Sequence, residues 1–100
     1  MTKEGFERLE ELFPRIVNLM PKNEFDSHDF ILVLAQKYQK LYVQLLYVYK
    51  DNNQPFQSVH KEIPKRLKKR VDLVEHVIRK HSSKNIFGLE NSCAVWRKVK

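Results

Sequence analysis

The stretch Ile63-Pro64-Lys65-Arg66-Leu67-Lys68-Lys69-Arg70-Val71-Asp72-Leu73-Val74-Glu75-His76-Val77-Ile78-Arg79-Lys80-His81 decides how this chain is read. Phe56, Val59, Ile63, Leu67, Val71, Val74 and Ile78 recur at the three-and-four spacing of one helix face. Pro64 interrupts that face. A proline pushes the preceding residue out of the helical region but is tolerated in the first turn of a helix. The spacing therefore predicts a short helix over 55–62, a tight joint, and a basic helix over 64–81, the outline of a helix-turn-helix. Its outward positions are Lys65, Arg66, Lys68, Lys69, Asp72, His76 and Arg79, with Arg70 and Lys80 at the boundary.

Upstream, Asp51-Asn52-Asn53-Gln54-Pro55 is a break made of turn-forming residues. Before it, Ile31, Leu34, Tyr38, Leu41, Leu45 and Val48 step by threes and fours, predicting a helix over 27–50. Asp26 or Ser27 caps its start, and Phe25 is placed to staple onto Phe30 or Ile31. Phe30, Ala35, Tyr42, Leu46 and Tyr49 widen the apolar stripe, so this helix is either the centre of the domain or part of a homodimer interface. Residues 3–20 carry a similar stripe of Phe6, Leu9, Phe13, Ile16 and Met20, predicting a first helix kinked at Pro14.

Downstream, His81-Ser82-Ser83-Lys84-Asn85 ends the basic helix, and residues 86–100 form a short tail element. Two readings of it stand. A β-hairpin turns near Gly88 and returns through Cys93 to Val99; a short helix starts from an Asn91 or Ser92 cap. The cap and the helical character of everything before it favour the helix. The expected fold is thus all-α or mainly α: a single-domain helical bundle over 1–100 with a helix-turn-helix-like unit, the hairpin giving a winged-helix variant.

Length and composition agree with one small domain: 100 residues, 42% hydrophobic and 31% charged, with two glycines and four prolines. No run approaches the roughly 18 apolar residues of a membrane span, and the opening Met1-Thr2-Lys3-Glu4-Gly5-Phe6-Glu7 lacks the apolar block of a signal peptide. The single Cys93 has no partner for an internal disulfide, which fits a reducing cytoplasm. The net charge of +7 is lopsided. Residues 1–50 hold seven Lys/Arg against seven Asp/Glu, and residues 51–100 hold twelve against five.

Catalysis finds little support. The glycines are isolated, so no phosphate-cradling loop exists, and nothing near Cys93 activates a thiolate. His28, His60, His76 and His81 show no metal-ligand spacing, and no metal, cofactor or small-molecule substrate is expected. Glu62, Asp72 and Glu75 read as partners for neighbouring Lys or Arg. Tyr38, Tyr42, Tyr49 and Trp96 have the faces to stack on bases, but their positions beside the stripes assign them to the core.

The basic half suits a polyanion. The expectation is a non-catalytic nucleic-acid-binding accessory or regulatory protein, for DNA before RNA. Its contact residues are Lys65, Arg66, Lys68, Lys69, Arg70 and Arg79, flanked by Lys84, Arg97 and Lys98. The other reading is a helical protein-interaction module or homodimer with incidental charge, or one that binds an acidic protein. A membrane surface is disfavoured because the basic face lacks an apolar edge.

Overall fold

A computed structural model describes residues 4–99, with the side chains of Glu4 and Arg79 outside the description. Helix α1 (Glu4–Leu19) runs with Pro14 inside it and buries Phe6, Leu9, Leu12, Phe13, Ile16 and Val17. A short strand β1 (Glu24–Asp26) leads into α2 (Ser27–Lys37). Asp26 caps α2 in a reciprocal box: its Oδ1 accepts from the Asp29 amide at 2.8 Å, and Asp29 Oδ2 accepts from the Asp26 amide at 3.1 Å.

The helix expected over 27–50 is two helices. Tyr38 leaves the helical region at φ −128° and ψ 59°, and α3 (Gln39–Val48) starts afresh after it. Both halves pack on α1: Phe13 meets Phe30 edge-on at 5.7 Å, while Gly5 lies against Leu45. A Cβ on Gly5 would come within 3.2 Å of Leu45 Cδ2, so the missing side chain lets the two helices close up. The one-residue break bends the path so that Ile31, Leu34, Leu41 and Leu45 are all buried.

The decisive stretch departs furthest from expectation. No joint forms at Ile63-Pro64, because α4 (Pro55–Leu67) runs through Pro64. Val59, Ile63 and Leu67 lie four apart and are at most 1% exposed. Burying Leu67 on that stripe is worth about 1.5–3 kcal/mol, comparable with the roughly 3 kcal/mol a proline costs inside a helix. The helix stops at Leu67, short of the predicted 81. Continuing it would stack Lys65 over Lys69 and Arg66 over Arg70, like charges one turn apart. Val71, Val74, Val77 and Ile78 are β-branched residues that prefer extended backbone. After a turn over 68–73 the chain accordingly enters strand β2 (Val74–Lys84).

The tail is a strand as well. β3 (Glu90–Lys98) returns antiparallel to β2 and continues the sheet to β1, in the order β1-β3-β2. Val74 pairs with Lys98 and Lys84 with Glu90; Phe25 pairs with Trp96 on the other side. Asn85 closes the hairpin: its side-chain oxygen accepts from the amides of Phe87 and Leu89 at 2.9 and 3.1 Å. Gly88 supplies the left-handed turn residue at φ +81°. The fold is therefore α+β, with four helices and a three-stranded antiparallel sheet among the described residues. The all-α bundle, its helix-turn-helix over 55–81 and the helical tail are overturned.

Trp96 joins the layers. It is buried, stacks on His76 at 4.8 Å, and donates from Nε1 to Ser27 Oγ at 2.9 Å.

Candidate functional site

The basic residues singled out from sequence separate into two groups. Arg66 donates to Glu62 at 2.7 Å and to Glu10 at 2.6 Å, with its guanidinium 4.6 Å from the Phe6 ring. Burial works against its charge, but the hydrogen bonds to Glu62 and Glu10 outweigh it, and its pKa rises. Arg70 grips Asp72 with two bonds of 3.0 Å and reaches the Glu10 carbonyl. Arg97 sits between Glu24 and Glu75, and Lys98 donates to the Met20 carbonyl at 2.6 Å. These four cations make contacts within the domain, tightest at the part-buried Arg66 and Arg70 and most open at Arg97. The Arg79 side chain lies outside the described residues.

The second group faces water. Lys65, Lys68, Lys69 and Lys84 are exposed, and among the described residues none has a carboxylate within 4.0 Å. Lys61 and Lys80 share both properties. On α4 and its C-cap Lys68, the residues Gln57, Lys61, Lys65 and Lys68 are exposed at spacings of four, four and three, opposite the buried Val59-Ile63-Leu67 stripe. Lys61 was missed from sequence because it falls in the short helix read over 55–62, away from the denser basic run. The signal was there: Lys61, Lys65 and Lys68 share a face once the helix is continuous.

The hairpin turn is docked onto the start of α4. Phe87 meets Phe56 edge-on at 5.1 Å and stacks over His60 at 6.1 Å. His60 Nε2 lies 2.6 Å from the Tyr42 hydroxyl. Burial, with a smaller push from His28, takes the His60 pKa down to about 4, and burial takes Tyr42 up to about 12. At neutral pH both groups are therefore uncharged, and a single proton is shared along the short Tyr42–His60 contact. This pair anchors α3 to α4 and presents the ring on which the hairpin rests.

The apolar stripe of the central helices is spent inside the domain. Ile31, Leu34, Leu41 and Leu45 are buried, and Tyr38 and Val48 are partly buried against them, which makes these residues core and withdraws the dimer reading of this stripe. Among the described residues, no helix is long and apolar enough to cross a membrane.

One further cluster was invisible in the spacing of the histidines. Asp26, His28 and Cys93 each place a ligand-type atom so that all three lie within 4.8 Å of one another. Residues about 65 positions apart meet there because the start of α2 packs on β3.

No protein-family model matches this chain, and no curated protein or solved structure does either.

Proposed function

We infer that this domain is a non-catalytic nucleic-acid-binding module that reads duplex DNA with the lysine face of α4. One observation carries the reading. Among the described residues the lysines on α4 and the turn after it project without carboxylate partners, while Arg66 and Arg70 of the same region make internal contacts. A helix of this length fits a major groove, and a lysine row along it neutralises successive phosphates and releases their counterions. Gln57 adds an amide able to bond a base edge from the same face. The hairpin, held against α4 by Phe87, brings Lys80 and Lys84 as flanking phosphate contacts. Fluorescence anisotropy with a random duplex over a salt series tests this. Affinity falls steeply with salt and is weakened by Lys61→Ala with Lys65→Ala; absence of binding at low salt refutes the reading.

A further inference from the structure

We propose that Asp26, His28 and Cys93 form a binding site for a zinc-type divalent transition metal that clamps the hairpin to the helical body. The donor set is a carboxylate, an imidazole and a thiol, a combination suited to zinc and its neighbours in preference to calcium or magnesium. The three donor atoms lie within 4.8 Å of one another. Around a tetrahedral zinc, ligand atoms stand about 3.4–3.7 Å apart, so closure needs movements of about 1 Å or less at each side chain.

The surroundings position these donors. Asp26 Oδ1 is engaged by the Asp29 amide as the cap of α2, which fixes the carboxylate and leaves Oδ2 turned toward His81, 3.6 Å away. His28 is buried in the first turn of α2, and its Nδ1 is 2.6 Å from the Ser83 hydroxyl, which itself lies 3.7 Å from Cys93 Sγ. A hydroxyl on the imidazole sets the ring's orientation, the usual task of an outer partner at a metal-bound histidine. His81, the register partner of Cys93, stands at the rim with its Nε2 3.6 Å from Asp26 Oδ2 and lies outside the three-donor cluster, so the fourth position is left to water. Binding takes the lone pair of neutral His28 and displaces the Cys93 thiol proton to solvent, so affinity rises with pH.

The consequence is mechanical. Asp26 ends β1 and caps α2, His28 lies in the first turn of α2 and Cys93 in β3, so one ion joins the helical body to the returning arm of the hairpin. The site stands whether or not the lysine face binds nucleic acid.

The test is a titration of the EDTA-treated full chain with Co²⁺, under a non-thiol reductant. A thiolate-to-cobalt charge-transfer band and intense tetrahedral visible bands are expected at one ion per chain, reversed by Zn²⁺. Cys93→Ser removes the charge-transfer band, and His28→Gln weakens binding by more than about 100-fold, since loss of a ligand exceeds the 10–100-fold of outer partners. Circular dichroism checks that each variant is folded. A second measurement needs no variant: Zn²⁺ slows alkylation of Cys93, the only thiol in the chain. An aqueous-cobalt spectrum with the folded wild-type chain, or alkylation of Cys93 at the same rate with and without Zn²⁺, overturns the proposal.

Discussion

Arg70 Nη1 donates to the main-chain carbonyl of Glu10 at 3.2 Å, and that carbonyl is the one whose helical partner would be the amide of residue 14. Residue 14 is a proline and has no amide hydrogen. An acceptor left open by one helix thus takes a cation from the turn after another, while Arg66 bonds the Glu10 carboxylate one turn earlier. α1 and the end of α4 are joined through a single glutamate.

Arg66→Ala and Arg70→Ala are therefore stability variants. Each removes charge-assisted bonds at a site partly open to water, and each should cost about 1–2 kcal/mol after allowance for screening. Lys65→Ala, fully on the surface, should stay within about 0.5 kcal/mol of the parent. Urea denaturation measures all three, and equal losses at Arg66 and Lys65 would contradict the division of the basic residues drawn above.

For nucleic acid the ranking reverses. Lys61→Ala and Lys65→Ala should each flatten the dependence of log affinity on log salt by about 0.9, one phosphate contact apiece. A folded Arg97→Ala should leave that slope unchanged. Anisotropy at several salt concentrations reads the slopes directly.

Ser27 and Trp96 supply a local probe. Ser27 Oγ accepts from the Trp96 indole at 2.9 Å, and both residues are buried. Ser27→Ala leaves the indole donor without that partner and should cost about 1–3 kcal/mol. Trp96 is the only tryptophan, so its emission reports the change without ambiguity.

Stability should depend on pH through His60. Its folded pKa of about 4 lies below the ordinary 6.5, so the unfolded chain takes up the proton first as pH falls. The contribution is fully present above about pH 6.5, declines as pH drops toward about 4, and levels off below that. Screening at a partly open site brings the loss to about 1–2 kcal/mol. Thermal melts of the parent and of His60→Phe test this: the variant should lose the His60 component of the decline, and an identical pH profile in the two chains would contradict it.

The helical half of the fold was legible because its signal is periodic. Phe6, Leu9, Phe13 and Ile16 name the buried face of α1, Met20 is buried just past its end, and Ile31, Leu34, Leu41 and Leu45 name the core of α2 and α3. The break at Tyr38 was not legible, since no glycine or proline marks it and the need to wrap α1 produces it. Val71, Val74 and Ile78 fit the helical register by spacing alone. β-Branching was the competing signal, and it prevailed at Val74 and Ile78, whose strand partners stand in β3, while Val71 lies exposed in the turn before β2.

What the amino-acid order determined by itself was the apolar faces of α1, α2 and α3, a helix cap at Asp26 or Ser27 and the excess of positive charge after residue 50. These are local or additive properties, fixed by spacing and side-chain chemistry. Which cations remain free, and which histidine meets Cys93, was decided only when distant segments packed. A salt bridge such as Arg66 to Glu10, or a cluster such as Asp26, His28 and Cys93, depends on separations through space of a few ångströms. No spacing along the chain encodes those distances before the core closes.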